Sequence, residues 1–232
     1  MRTNRIPMPP ASTGGYLPIP VSHGLLEAVL RRPREAPRGA GVMCHPHPLH
    51  GGTMHTKAVY RAAEGMTEAG LAALRFNFRG VGRSTGSYDG GLGETDDARA
   101  ALRHVERLFP GLPLVAGGFS FGSLVGLRAG AGHARVGAMV GVGLAFDRHD
   151  YGFLAEARCP VLIVQGERDE FGSGARAAEF ARRLGDPVEA VVIPGADHYF
   201  HGHFDELRRG IRDFLTRSAV ARALERKRIE TG

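Results

Sequence analysis

From about residue 25 to residue 215, short continuous apolar runs alternate with stretches of helical periodicity, and this rhythm limits the fold more than any other feature. The runs are Gly41–Cys44, Leu71–Phe78, Leu112–Ala116, Met139–Ala145, Val161–Gln165 and Val188–Ile193. Between and after them, Thr56–Ala69, Glu94–Phe109 (with Thr95 placed to cap it), Phe121–Ala131, Ser173–Leu184 and Phe204–Leu215 read as helices. A strand that is apolar along its whole length is covered on both faces. Such strands alternating with helices predict an α/β chain with a mostly parallel sheet. Leu25–Leu30 carries one acid and is closed by Arg31-Arg32-Pro33, so it reads as an edge or antiparallel strand. In sheets of this kind ligands sit beyond the carboxyl ends of the strands, which selects the loops in which to look for chemistry.

The organisation predicted for the 232 residues is one domain, with residues 1–20 as an N-terminal arm and 218–232 as a basic helical tail. Hydrophobic residues at 43% and charged residues at 23% exclude wholesale disorder. Two cysteines, Cys44 and Cys159, do not make a disulfide framework. No apolar run approaches the roughly 18 residues of a membrane span, and Met1–Gly15 lacks a signal-peptide core. A cytoplasmic chain without a membrane partner is the expectation. The net charge is +6, with 28 arginines against two lysines. The arginines are interleaved with acids. The densest run, Arg217–Arg228, also holds Glu225 and apolar residues at helical spacing, so it reads as a solvated helix face and no nucleic-acid partner is expected.

Gly118-Phe119-Ser120-Phe121-Gly122 follows one apolar run and opens a helix. This strand–turn–helix setting is what a nucleophile elbow requires: a tight turn with small neighbours, and Ser120 at a helix N-terminus that favours developing negative charge. A serine hydroxyl is a weak nucleophile and needs a base held by a third group. For this elbow the chain order is serine, acid, histidine. Asp169, directly after Val161–Gln165, and His198, directly after Val188–Ile193, supply that order on the same rim. Asp147, Asp150, Glu167 and Glu170 compete for the acid, and His201 and His203 for the base. Asp197 reads as a loop-stabilising group.

An oxyanion hole needs two N–H donors. Phe121 N–H, directly after Ser120, is one candidate. The other should come from His45-Pro46-His47-Pro48-Leu49-His50-Gly51-Gly52. Proline has no N–H, which leaves His47 first and Leu49 second. His45, His47 and His50 also suggest a metal site, but Leu49 fills the acidic position of such motifs and no bridging acid accompanies them. No metal or cofactor is expected. Phe78-Arg79-Gly80-Val81-Gly82-Arg83-Ser84 is glycine-rich, but its glycine spacing and the loop that follows do not fit a dinucleotide site. Cys44 reads as a small buried hydrophobe.

Taken together, HPHPLHGG, FNFRGVGRSTGS, GGFSFGS, QGERDEFG and PGADHYF resemble the α/β-hydrolase superfamily from about Leu25 to Leu215. The combination of HPHP with FNFRGVGRS is similar to a small bacterial subgroup of lidless serine esterases related to dienelactone hydrolases. Those hydrolases carry cysteine where this chain has Ser120. The resemblance implies an eight-stranded, mostly parallel sheet with helices on both faces, an antiparallel second strand and no cap domain. Only Phe146–Pro160 is available where larger relatives insert a cap. An open cleft bounded by Leu49, Phe121, Phe146, Phe171 and Tyr199 is expected, with Phe146, Phe171 and Tyr199 as substrate-binding residues. The function implied is hydrolysis of a small-molecule carboxylic ester through an acyl-enzyme on Ser120, with His198 as base and Asp169 as orienting acid. The alternatives are thioesterase or amidase activity from the same triad, or a non-catalytic binding protein on the same scaffold.

Overall fold

A computed structural model describes residues 16–228. Eight strands form one sheet: β1 (Leu17–Val21), β2 (Gly24–Arg31), β3 (Gly39–Cys44), β4 (Leu71–Phe76), β5 (Leu114–Phe119), β6 (Val136–Val142), β7 (Val161–Gly166) and β8 (Val188–Ile193). Their order in the sheet is β1-β2-β4-β3-β5-β6-β7-β8. β2 runs antiparallel to both its neighbours, and the strands from β4 to β8 are parallel. The helices are α1 (Lys57–Glu68), α2 (Leu92–Leu108), α3 (Phe121–Ala131), α4 (Gly174–Leu184), α5 (Phe204–Thr216) and α6 (Ser218–Glu225).

Successive residues of a strand point to opposite faces, and the parallel strands use both. Met43, Ala73, Val115, Val140 and Leu162 pack under α1, α5 and α6. Val42, Leu74, Ala116 and Met139 pack under α2, α3 and α4. Two apolar cores thus sandwich the sheet, which explains why the sequence runs show no polar alternation. Between β6 and β7 stands only a short 3-10 turn, Gly152–Glu156, so no cap covers the carboxyl ends of the strands.

The structure corrects the sequence reading at several boundaries. Leu17–Pro20, read as the end of an arm, belongs to β1, where Ile19 pairs with Leu26. Pro18 and Pro20 hid this strand, but an edge strand tolerates residues without an N–H. The remainder of that arm, residues 1–15, lies outside the described residues. Met139–Ala145 is shifted: β6 runs Val136–Val142 and ends at Gly143, whose φ of 54° turns the chain. The start of α2 is held by Glu94 rather than Thr95. The Glu94 carboxylate accepts N–H bonds from Gly91 at 2.7 Å and Asp89 at 2.9 Å, while the Thr95 hydroxyl donates to Gly91 O. The expected basic tail is docked from Ser218 to Glu225: α6 packs on β6 through buried Val220, Ala223 and Leu224. Residues 229–232 lie outside the described residues.

Candidate active site

Ser120 sits between β5 and α3 with φ 56° and ψ −121°, a conformation that L-residues rarely adopt. The turn is that tight because backbone presses on it from two sides. A Cβ on Gly118 would meet Gly122 O at 2.0 Å, and a Cβ on Gly122 would meet His45 O at 2.3 Å. Glycine is therefore required at both positions. Three hydrogen bonds hold the strained backbone: its N–H donates to Val142 O at 2.9 Å, and its carbonyl accepts the Ser123 N–H at 2.9 Å and the Ser123 hydroxyl at 2.6 Å. Ser123 also meets the Tyr151 hydroxyl at 3.0 Å. Burial pushes that phenol up to about 12, so Tyr151 stays protonated as a fixed partner.

The side chains of Ser120, His198 and Asp169 form a hydrogen-bonded line. Ser120 Oγ lies 3.0 Å from His198 Nε2, and His198 Nδ1 lies 2.8 Å from Asp169 Oδ2. His198 follows β8, Asp169 follows β7 and Ser120 follows β5, so the parallel sheet brings three distant segments to one rim. The Asp169 carboxylate is saturated with donors. Oδ1 accepts the Phe171 N–H at 2.9 Å, and Oδ2 accepts the Gln165 side-chain amide at 2.7 Å. Gln165 is fully buried; its amide also donates to Gly172 O at 2.6 Å and accepts the Leu144 N–H at 2.8 Å. The sequence marks Ser123 only as a small neighbour of the turn and assigns no role in the site to Gln165 or Tyr151. A glutamine closing an otherwise apolar strand, four residues before the acid, was the one available signal.

The competing acids are engaged elsewhere. Asp147 pairs with Arg176, Asp150 accepts the Gly152 N–H, and Glu167 accepts the Gly195 N–H. Glu170 is exposed. Asp197 receives both the backbone N–H and the ring of His201, which fixes the loop as expected and occupies His201. His203 lies near Glu206, at 4.0 Å.

The histidine-proline loop is anchored from below. His45 is fully buried; its Nδ1–H donates to Pro46 O at 2.6 Å and its Nε2 accepts the Phe78 N–H at 3.0 Å. Both ring nitrogens are consumed, and burial lowers the imidazole to about 4, so His45 is a neutral structural bracket. Asn77 accepts the Met54 N–H and Arg75 donates to Met54 O, which ties the far end of the loop to β4. No metal-binding group of three or more His, Cys, Asp or Glu occurs among the described residues.

His47 stands over the turn, its ring 4.9 Å from that of Phe121 and its Nε2 3.1 Å from the Tyr88 hydroxyl. The Leu49 N–H donates to His47 Nδ1 at 3.2 Å, so this second oxyanion candidate is turned toward its own loop. The Phe121 N–H, at the first position of α3, has no intrahelical acceptor. Cys44 is buried beneath α3, and burial pushes its thiol well above the usual range, in keeping with an inert hydrophobe.

Ser120 and His198 open into a cleft of about 780 Å³ that Phe121, Phe171 and Tyr199 also line. Phe146 does not line it. Its ring is buried against Tyr151 and Phe180, with centroids 5.4 and 5.1 Å away, because Gly143 turns the chain and carries Phe146 inward. Leu49 is exposed and likewise lies outside the lining.

Residues 42–210 match the model of the alpha/beta hydrolase domain family. The chain is 33% identical over 184 residues to an uncharacterized protein of Rickettsia prowazekii, covering 75% of this chain and 77% of that protein. Among solved structures it is similar to an alpha-beta serine hydrolase homologue from Coxiella burnetii, with TM-score 0.83 and 38% identity over 89% of this chain and 100% of that one. It is also similar to a serine hydrolase without a lid from Xanthomonas campestris, with TM-score 0.77 and 29% identity over 97% of this chain and 100% of that one. No described helix is long and apolar enough to cross a membrane.

Proposed function

Because the chain belongs to the alpha/beta hydrolase domain family, we propose that it hydrolyses carboxylic esters through an acyl-enzyme on Ser120. The observation that carries this reading is the line from Ser120 Oγ through His198 to Asp169, at 3.0 and 2.8 Å, on a strained turn facing an open cleft.

In the first step His198 Nε2 takes the hydroxyl proton as Ser120 Oγ forms a bond to the ester carbonyl carbon. Asp169 accepts from Nδ1–H, fixes the tautomer and stabilises the imidazolium that forms. The Phe121 and His47 N–H groups are the donors for the developing oxyanion, aided by the N-terminus of α3. Collapse of the tetrahedral species breaks the bond to the alcohol oxygen, which leaves with the proton from His198. Water then enters, loses its proton to His198 and attacks the acyl carbon; the bond to Ser120 Oγ breaks as His198 returns the proton to Oγ, which releases the acid and the free serine. Phe171 and Tyr199, which line the cleft beside His198, are the substrate-binding residues of this reading.

A fluorophosphonate probe tests the activated serine. The expected result is one adduct per chain on Ser120, absent from Ser120→Ala and strongly slowed in His198→Ala. An unlabelled, folded wild-type protein would overturn the proposal and leave a ligand-binding role on the same scaffold. Once labelling is seen, matched oxygen esters, thioesters and amides rank the leaving groups, with the oxygen esters expected to turn over fastest.

A further inference from the structure

The cleft that holds Ser120 is lined by cationic and imidazole side chains. Arg148, His149, His47 and His50 all line it, and among the described residues no carboxylate does. Arg148 and His149 follow β6 on a tight turn, where both backbone N–H groups donate to Ala145 O at 3.0 Å. Both side chains border the cleft of Ser120, Arg148 beside Phe171 and His149 beside Phe121. The Arg148 guanidinium lies 5.9 Å from the Phe171 ring, which itself stands 4.7 Å from the His198 ring. The His149 ring stands 6.2 Å from that of Phe121.

Arg148, like Arg128 and Arg183 nearby, forms no ion pair among the described residues, but it alone of these lines the cleft of Ser120. Arg176, on the same flank, is paired with Asp147, and Arg79, Arg182 and Arg208 are paired as well. Among the described residues no carboxylate forms an ion pair with Arg148, and its side chain lies near the Phe171 ring. Asp147, the nearest acid in sequence, is taken by Arg176; Asp150 accepts the Gly152 N–H at 2.7 Å and, with Glu179, lines an adjoining pocket that Arg148 and His149 also border, outside the cleft lining. Burial first, and then the like charges of Arg128, His47 and Arg148, lower the basicity of His149.

We infer that the substrate is an ester bearing an anionic group, a carboxylate or a phosphate, that seats on Arg148 with His149 as a second donor. The inference rests on the esterase reading and names the substrate class for that site. A guanidinium presents paired N–H donors whose spacing matches both anions. The Phe171 ring, 5.9 Å from the guanidinium, carries no charge to neutralise it. An incoming anion also favours the charged form of His149, so the two donors reinforce one another.

The test compares the 4-nitrophenyl monoester of adipic acid, its neutral methyl-capped counterpart, and an acyl ester of equal length ending in phosphate. The expected result is kcat/KM at least about tenfold higher for an anionic ester than for the neutral one, carried by KM. The preference falls with added salt, since Arg148 is exposed. Arg148→Gln should remove most of the preference, and Arg148→Glu should reverse it; the larger response of the carboxylate or the phosphate arm identifies the anion. Equal or better turnover of the neutral ester by the wild type, dependent on Ser120, would overturn the anion site while leaving the esterase reading in place. If no ester is turned over, calorimetry of the adipate monoester with Ser120→Ala decides. Binding that Arg148→Gln abolishes supports the anion site without the esterase reading, and no binding refutes it.

Discussion

Replacing Gln165 by Met removes every hydrogen bond of a fully buried amide while keeping its length. Gln165 donates to Asp169 Oδ2 at 2.7 Å, to Gly172 O at 2.6 Å and to Leu144 O at 3.2 Å, and accepts the Leu144 N–H at 2.8 Å. The bond to the carboxylate is charge-assisted and contributes about 1.5–3 kcal/mol; stranding the Leu144 N–H costs about 1–3 kcal/mol more. The sum, about 2.5–6 kcal/mol, is smaller than the roughly 10 kcal/mol midpoint of domain stabilities, so the variant is expected to fold. Its Tm should fall by roughly 5–24 °C, since each kcal/mol is worth about 2–4 °C in a chain of this length. Asp169 keeps only the Phe171 N–H and His198, and the imidazole loses its fixed seat. A misplacement of that kind costs about tenfold to a hundredfold in turnover. Gln165 does not line the cleft, so KM for a neutral ester should move little. The assays are a thermal melt, a fluorophosphonate labelling rate and separate kcat and KM values. A variant that melts within about 2 °C of wild type and labels at the wild-type rate would refute the argument that this web holds the acid; that threshold is below the shift of even one lost kcal/mol.

Gly122→Ala drives a methyl group onto His45 O and Cys44 O, at 2.3 and 2.6 Å, so the elbow must shift. A loss of about 1–3 kcal/mol in a urea titration is expected, together with about a hundredfold slower ester turnover; wild-type values in both would contradict the tight-turn account. His45, lowered to about 4 by burial against 6.5 for an unhindered imidazole, binds its proton more tightly in the unfolded chain. The stability it confers is therefore full above about pH 6.5 and is lost as pH falls toward 4, by roughly 3 kcal/mol in total. His45→Gln, whose amide oxygen can still accept the Phe78 N–H, should flatten that part of the pH dependence of the urea midpoint, and an unchanged slope would reject the assignment.

The local sequence determined a good deal of this protein. Apolar runs without alternation gave the parallel strands their places, because a strand covered on both faces has no polar side to show. The spacing of Gly118, Ser120 and Gly122 between a run and a helix specified a turn that only small neighbours permit, and the order of Ser120, Asp169 and His198 placed three polar groups at strand ends. Such features are local and are written in neighbouring residues. The prolines of β1 concealed an edge strand, since proline is penalised where an N–H must pair and an edge has N–H groups with no partner to lose. Which histidine became a bracket and which stood over the serine depended on burial by Phe78 and on contact with Phe121 and Tyr88. Neither follows from the spacing of His45, His47 and His50. The turn of the chain at Gly143 sent Phe146 inward and left Arg148 and His149 at the cleft, and Gln165 found Asp169 only because β7 ends where its acid loop doubles back. Those outcomes rest on contacts between segments far apart in the chain, and only the packed sheet decided them.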